Sequence, residues 1–259
     1  MLLDGRVCVV AGVGAGLGRE VALALAGHGA TVVLGARTAS VLEEVADEIA
    51  AAGGRARAVV TNVVDPDQCD RLVRAADEEF GRVDALVNCA YRPDVFQRFE
   101  DVDLATWRKL LDLNLFGSLQ LARSVLPAMQ RQGSGSIVFV SSMVTRRPLP
   151  LQSGYAISKG ALNTAARALA GELGPYGIRV NTIVPGWMWG PNVELYVGMT
   201  AEARGVDPGV VVDEITADIP LGRIPDDGDV AGAAVYLVSD LSRSVTGQSL
   251  DVNGGEYYH

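Results

Sequence analysis

Three residues near the middle of the chain have the types and spacing needed to move a proton to or from an oxygen atom. Tyr155 and Lys159 are four residues apart, so a helix would place them on one face. A nearby cation favours the ionised form of a phenol, so Lys159 is expected to lower the pKa of Tyr155. Ser142, thirteen residues before the tyrosine, could hold the same substrate oxygen. We predict proton exchange between Tyr155 and an alcohol or carbonyl near neutral pH.

A glycine-rich turn near the amino terminus has the pattern of a dinucleotide site. An apolar run over residues 6–11 leads into the turn, and a helical pattern follows it. Glycines in such a turn allow tight chain reversal, close approach of the backbone to a pyrophosphate, and packing of the helix on the sheet. The alternative is a simple tight connection between strand and helix. The residues of this turn predicted to bind the cofactor are Gly12, Gly14, Gly16, Leu17 and Gly18.

The end of the second predicted strand bears on which dinucleotide binds. An NAD site usually has a carboxylate here for the ribose 2′-hydroxyl, whereas this chain has Ala36 followed by Arg37 and Thr38. A guanidinium can bind a 2′-phosphate through two hydrogen bonds, which favours NADP. If Arg37 is only a solvated loop residue, NAD remains the alternative.

With these motifs the chain resembles the short-chain dehydrogenase/reductase family, in its common form of about 250 residues, from the glycine turn to Asp251–Gly255. The resemblance implies a catalytic tetrad of Ser142, Tyr155, Lys159 and Asn114. In it Lys159 also holds the nicotinamide ribose, and Asn114 holds a water that links Lys159 to solvent. The resemblance further implies cofactor contacts from Asn62, Val63, Asn88, Ala90, Pro185, Gly186 and Met188, and from Tyr155 and Lys159 themselves. The chain departs from the family pattern at Ala11, Asn62 and Gly190, none of which removes a catalytic group.

Strand and helix patterns alternate along the chain. Strands are predicted near 6–11, 31–35, 56–62, 83–88, 136–141, 179–184 and 248–252, and helices near 17–27, 39–52, 66–80, 104–131, 153–173 and 227–239. Such alternation predicts an α/β protein with parallel βαβ units. We expect one Rossmann domain over residues 1–259, with a doubly wound, mostly parallel, seven-stranded sheet. Ligands then bind at the carboxyl ends of the strands.

Composition limits the classes of partner and site. The net charge of −9 disfavours nucleic acid and anionic membranes as partners, and no uncharged apolar run has the length of a membrane-spanning helix. Three cysteines without metal-ligand spacing, and a first strand that begins almost at once, predict a cytoplasmic protein. With only two histidines, a histidine triad or a metal site is not expected.

The segment from about 187 to 220 is expected to form a substrate lid, with one short helix between 206 and 219. Its large apolar residues indicate a hydrophobic substrate, although half of them could simply pack the lid onto the core: Trp187, Met188, Trp189, Leu195, Tyr196 and Met199. Tyr91 and Arg92 are expected at the mouth of the site. Arg146 and Arg147 are either solvated or receive an acidic substrate tail.

The predicted activity is NADP-dependent hydride transfer between the nicotinamide and a secondary alcohol or ketone. The alternatives are the same chemistry with NAD, and a catalytically idle dinucleotide-binding sensor or scaffold. Helices 104–131 and 153–173 carry apolar residues on more than one face, and the resemblance implies that they pair in a homotetramer.

Overall fold

Seven strands form one sheet in which all neighbouring pairs are parallel. A computed structural model describes residues 1–258. The inner strands are apolar and buried on both faces, while the two edge strands, β3 and β7, are more exposed. The strands are β1 (Val7–Ala11), β2 (Thr31–Ala36), β3 (Arg55–Val60), β4 (Ala85–Asn88), β5 (Gly135–Val140), β6 (Ile178–Pro185) and β7 (Ser249–Val252). This confirms the predicted seven-stranded α/β sheet.

Helices cover both faces of the sheet. They are α1 (Leu17–Gly27), α2 (Ala39–Ala51), α3 (Pro66–Phe80), α4 (Leu104–Leu111), α5 (Ser118–Gln132), α6 (Ser153–Leu173), α7 (Pro191–Arg204), α8 (Pro208–Thr216) and α9 (Asp227–Val238). Side chains alternate between the faces of a strand, so successive β1 residues enter different cores. Val10 packs in the core that includes α1, α2 and α9, and Val9 packs in the core that includes α3, α5 and α6.

The strand order β3-β2-β1-β4-β5-β6-β7 means that the direction in which strands are added to the sheet reverses between β1 and β4. From β1 the chain first builds outward to β2 and β3, then crosses back to β4 and continues to the other edge. In open parallel sheets a crevice forms at the carboxyl ends of the strands beside such a reversal. Ala11 and Asn88, which pair at the ends of β1 and β4, lie at this point.

The helix predicted over 104–131 is interrupted, and the prediction is wrong in this respect. A π-helical turn over Asp112–Gly117 separates α4 from α5. Such a turn inserts a residue into the helix and often occurs at functional sites. Asn114 is fully buried in it. Gly117 in the same turn packs against Val63, since a Cβ at Gly117 would lie 2.9 Å from the carbonyl oxygen of Val63.

The segment between β6 and α9 contains two helices, α7 and α8, where one short helix was predicted. They pack on each other around Val197, Ala201 and Val211, with Trp189 against the same small cluster. None of the helices in residues 1–258 combines the length and the apolar character that crossing a membrane requires.

Candidate active site

A crevice of about 610 Å³ lies at the carboxyl ends of the strands, a volume within the range of ligand pockets. Sixteen predicted site residues line it: Gly12, Gly14, Gly16, Leu17, Gly18, Arg37, Thr38, Asn62, Val63, Ala90, Ser142, Tyr155, Lys159, Pro185, Gly186 and Met188. The predicted residues Asn88 and Asn114 do not line the crevice and are buried beside it. Motifs spread over 177 residues of sequence, from Gly12 to Met188, therefore meet in one place.

The glycine turn between β1 and α1 needs glycine at two of its positions. Gly12 has φ +83°, and a Cβ there would lie 2.2 Å from the backbone nitrogen of Ala90. A Cβ at Gly18 would lie 2.2 Å from the carbonyl oxygen of Gly12. A Cβ at Gly14 would meet nothing within 4 Å, so the turn is open to the crevice there. No side chain caps α1 at Gly16, which leaves the helix N-terminus available to an anion. These residues fit a dinucleotide pyrophosphate.

Tyr155 lies in the first turn of α6 with its phenol in the crevice. The hydroxyl of Ser142, just beyond β5, lies close enough to this phenol to affect its pKa. Burial raises the pKa of Tyr155 above its usual value and the nearby Tyr91 adds to the increase, while the Ser142 hydroxyl opposes it. The two side chains are thus close together, and the role expected of Ser142, to hold the substrate oxygen, stays a prediction.

Lys159 lies one helical turn beyond Tyr155, with its Nζ 5.7 Å from the centre of the tyrosine ring. The side chain is 2% exposed, and Nζ donates a hydrogen bond of 2.7 Å to the carbonyl oxygen of Val140. Burial lowers the pKa of Lys159 to about 8. The predicted fall in the pKa of Tyr155 is wrong for this geometry, because the loss of water around the buried phenol dominates and raises its pKa.

Asn114 is held by hydrogen bonds to protein groups. Its Oδ1 accepts from the backbone N–H of Arg92 at 2.7 Å, and its Nδ2 donates to the carbonyl of Arg92 and to Ser158 Oγ, each at 3.0 Å. Ser158 in turn donates to the carbonyl oxygen of Tyr155 at 2.8 Å. Asn114 therefore links the loop after β4 to the first turn of the helix that carries Tyr155.

Asn88 closes the end of β4. Its Oδ1 accepts from the backbone N–H of Ala90 at 3.1 Å, and its Nδ2 donates to Ser118 Oγ at 2.7 Å. The side chain thus shapes the turn that packs directly against Gly12.

The far end of the crevice carries the residues predicted to select the dinucleotide. Arg37 is exposed and makes no hydrogen bond or ion pair with any other part of residues 1–258, so its guanidinium is available to a ligand. Asn62 Oδ1 accepts only a long bond of 3.3 Å from the backbone N–H of Val64. This amide oxygen can also accept from an adenine amino group.

The substrate side is bounded by the loop after β4 and by the lid. The ring of Tyr91 makes an edge contact with that of Tyr155 at 6.4 Å, and its hydroxyl accepts a 2.7 Å hydrogen bond from Asn192 at the start of α7. Trp187 and Met188 also line the crevice. Trp189 instead packs inside the lid, whereas Leu195, Tyr196 and Met199 are exposed. The predicted apolar lining therefore holds for only part of the lid.

The two arginines after Ser142 are engaged elsewhere. Arg146 forms an ion pair with Asp251 at 3.2 Å. Arg147 donates to the hydroxyl of Tyr257 and lies over its ring. Neither arginine lines the crevice, and neither does Arg92.

Three residues of the site were not found from sequence. Asp94, 7% exposed, accepts a 2.8 Å hydrogen bond from the backbone N–H of Tyr155. Ser158 bridges Asn114 and Tyr155, and Asp227 lines the crevice beside the glycine turn. Asp94 is 61 residues from its partner, and no local pattern signals that pairing. Ser158, one residue before Lys159, could have been suspected from its place on the same helix.

Comparison with known proteins points to one family. The model of the family described as Enoyl-(Acyl carrier protein) reductase matches residues 12–256. A 3-oxoacyl-(acyl-carrier-protein) reductase of Thermotoga maritima is 34% identical over 257 residues, covering 98% of this chain and 99% of the relative. An actinorhodin polyketide ketoreductase solved with NADPH has a TM-score of 0.91 at 30% identity, with 98% of both chains covered.

A second solved structure has a different cofactor. A 7α-hydroxysteroid dehydrogenase complexed with NADH and 7-oxo glycochenodeoxycholic acid has a TM-score of 0.88 at 32% identity, covering 98% of this chain and 94% of that one. The match extends over nearly the whole chain in each comparison, and the sheet order and the crevice of this protein agree with it. The chain belongs to the short-chain dehydrogenase/reductase family of oxidoreductases.

Proposed function

We propose that the protein is an NADP-preferring oxidoreductase that interconverts a hydrophobic ketone and the corresponding secondary alcohol. The observation that carries this proposal is the meeting of Ser142, Tyr155 and Lys159 in one crevice, with Lys159 one helical turn from Tyr155. The nicotinamide, when bound, supplies or accepts the hydride. The chain's own residues supply the proton and hold the substrate oxygen.

Tyr155 is the general acid for carbonyl reduction. Because burial raises its pKa, the phenol keeps its proton at neutral pH and can donate it to the oxygen that becomes the alcohol. Ser142 donates a hydrogen bond to the same oxygen and stabilises the negative charge that develops there. In the reverse direction Tyr155 accepts the proton.

Lys159 is the residue through which the proton of Tyr155 is replaced. With a pKa of about 8, the amine exists in both its charged and neutral forms near physiological pH. Lys159 also holds the nicotinamide ribose, and Asn114 keeps the start of α6 against the loop after β4. We propose that a water held near Asn114 connects Lys159 to solvent.

Preference for NADP rests on Arg37. The guanidinium is exposed at the adenosine end of the crevice, and it has no competing carboxylate partner within residues 1–258. The preceding residue, Ala36, offers no carboxylate to a ribose 2′-hydroxyl. The ketoreductase solved with NADPH and the steroid dehydrogenase solved with NADH show that the family accommodates both dinucleotides. NAD is therefore the alternative cofactor.

A hydrophobic substrate is supported by the side chains at the mouth of the crevice. Trp187, Met188, Val193 and Leu149 line it, and Tyr91 presents its ring beside that of Tyr155. The steroid dehydrogenase binds a largely apolar bile acid, a substrate class consistent with such a lining. We propose that residues 187–220 cover this substrate.

The assembly and the compartment are further proposals. Phe116 is 59% exposed on the π-helical turn, and Leu104 and Ile157 are exposed on α4 and α6. Large apolar side chains exposed on these neighbouring elements favour association of copies into a homotetramer. A cytoplasmic location is proposed from the sequence.

The decisive experiment measures NADPH- and NADH-dependent reduction of a panel of ketones by wild type and Tyr155→Phe. Loss of the proton donor should reduce kcat by at least about 100-fold while leaving the Kd for NADPH within about twofold. Tyr176→Phe, at an exposed tyrosine just after α6, is the matched control and should be unchanged. Near-normal turnover by Tyr155→Phe would refute the assignment. Dinucleotide binding without turnover of any ketone or alcohol would favour the idle sensor.

Cofactor preference has its own test. Arg37→Ala should weaken NADP⁺ binding by about 10–100-fold, because one or two charge-assisted hydrogen bonds are lost, and leave NAD⁺ binding nearly unchanged. Arg74→Ala, at an exposed arginine on α3, is the control. Equal Kd values of the wild-type protein for NADPH and NADH would refute the preference.

A further inference from the structure

Asp227 places a carboxylate against the glycine turn. It is the first residue of α9 and lines the crevice with the turn and the start of the lid. A Cβ at Gly16 would lie 3.1 Å from Asp227 Oδ2, and a Cβ at Gly190 would lie 2.8 Å from the same atom. The carboxylate therefore lies between the N-terminus of α1 and the segment that leads into α7.

No cationic side chain within residues 1–258 forms an ion pair with this carboxylate, and Asp227 makes no side-chain hydrogen bond there. The glycine turn (residues 12–18) and the segment 187–193 contain no ionisable side chain. An anion thus faces the place where the pyrophosphate of a dinucleotide is expected, and two anions there repel each other.

The ionisable groups around Asp227 are acidic. Glu20 faces it from α1, and Asp226 precedes it, with Asp229 two residues further along α9. Cys89 and Tyr91 face it from the loop after β4. Of the nearby cations, Arg19 is paired with Glu20 and Glu48, and Arg223 is paired with Asp229.

This environment makes the carboxyl group easy to protonate. Burial raises the pKa of Asp227 to about 6, with contributions from Glu20 and Asp226. Burial also raises the pKa values of Cys89 and Tyr91, so these two groups do not titrate between pH 5 and 8. Lys159, which lines the same crevice and whose pKa burial lowers to about 8, titrates at the upper end of this range. A titration is therefore assigned to Asp227 only where Asp227→Asn removes it.

We propose that Asp227 is a proton-linked residue of the dinucleotide site, whose carboxyl group takes up a proton from solvent when the anionic dinucleotide binds. The inference rests on the dinucleotide binding of the proposed function. The phosphates raise the proton affinity of the nearby carboxylate, so the bound state holds a proton that the free state has lost. Affinity then falls as pH rises above the pKa of the free protein, and it is independent of pH where both states are protonated.

The test is calorimetric titration of wild type and Asp227→Asn with NAD⁺ and NADP⁺ at pH 5.0, 7.0 and 8.0. At pH 7.0 the titrations are repeated in PIPES and in Tris, whose different ionisation enthalpies reveal proton uptake. The 2′-phosphate of NADP⁺ itself titrates in this range, so the informative quantity is the difference between wild type and variant. Asp226→Asn is the matched control, since Asp226 is exposed and asparagine caps a helix as well as aspartate does.

Wild type should take up a fraction of a proton per dinucleotide that Asp227→Asn does not, and the variant should bind at least about fivefold tighter at pH 8.0. At pH 5.0 the two should bind within about twofold of each other. The inference, but not the proposed function, would be overturned by equal proton uptake in wild type and Asp227→Asn. It would also be overturned if Asp226→Asn altered proton uptake and affinity as much as Asp227→Asn does. Failure to bind either dinucleotide at any pH would overturn both.

Discussion

Asp94 should matter for both stability and turnover although it lies outside the reacting groups. Its Oδ2 accepts from the backbone N–H of Tyr155 and its Oδ1 from that of Val95, each at 2.8 Å, and the residue is 7% exposed. The first N–H groups of a helix have no partner within the helix, so this carboxylate satisfies one that α6 leaves free. Asp94→Ala removes both bonds and leaves the N–H of Tyr155 without its partner.

The size of the effect follows from these two bonds. A hydrogen bond to a charged group is worth about 1.5–3 kcal/mol, and water recovers part of the loss, so we expect unfolding to become easier by about 3 kcal/mol. For a chain of this size that corresponds to a fall in Tm of about 6–12 °C. Because a shift of about 1 Å in a reacting group can reduce the rate by about 100-fold, kcat should fall by about 10–100-fold.

Thermal unfolding, steady-state kinetics and dinucleotide binding together test this role. A positioning role predicts a reduced kcat for Asp94→Ala at 20 °C, where the variant is still folded, with a Kd for NADPH within about threefold of wild type. Asp94→Asn keeps one acceptor oxygen and should recover part of both losses. Asp101→Ala, at an exposed aspartate on the same connection, is the control. If Asp94→Ala had the Tm and the kcat of wild type, the reasoning would be refuted.

Three further predictions concern other parts of the molecule. Gly12→Ala should destabilise the fold by at least about 3 kcal/mol in urea unfolding, because of its positive φ and a 2.2 Å contact with Ala90, whereas Gly14→Ala, with open space, should not. The free energy of unfolding of wild type minus that of Lys159→Met should rise by about 1.5 kcal/mol between pH 8.0 and 9.5. In the folded protein the lysine pKa is lowered to about 8, so over this range the folded protein binds fewer protons than the unfolded chain. A difference between the two proteins that does not change with pH would contradict this. Light scattering should give four times the chain mass of 27.2 kDa for wild type and a smaller mass for Phe116→Asp, and a monomeric wild type would refute the tetramer.

The parts of the fold that were predictable are those specified by local sequence. The β-branched runs of the strands, the glycines between β1 and α1, and the pair Asp65–Pro66 at the start of α3 each identify their own structure within a few residues. Alternation of such elements leaves few topologies for a parallel sheet, since crossover connections have one hand. Because the motifs follow the carboxyl ends of parallel strands, and these ends lie at the same edge of the sheet, the motifs meet in one crevice.

What sequence did not predict depends on contacts between distant segments. The π-helical turn within residues 104–131 does not interrupt the apolar pattern, and it becomes evident only where Asn114 meets Arg92 and Ser158. Tyr155 is 61 residues from Asp94, and Gly16 is 211 residues from Asp227, so a single sequence offers no means of pairing them.

The pKa of Tyr155 shows a different limit of prediction from sequence. The spacing of Tyr155 and Lys159 was predicted correctly, but the direction of the shift in the tyrosine pKa was not. An interval of four residues correctly placed Lys159 beside Tyr155, but a pKa depends on the balance between the attraction of the two charges and the loss of water around each. That balance is set by how deeply α6 is packed and by Val140, whose carbonyl holds the ammonium. Burial favours the protonated form of Tyr155 and makes Lys159 a weaker base. Reduction of a carbonyl, as in the proposed function, uses the protonated phenol, whereas oxidation of an alcohol requires the phenolate. We therefore predict that the proposed reaction runs as reduction at neutral pH and as oxidation only at higher pH.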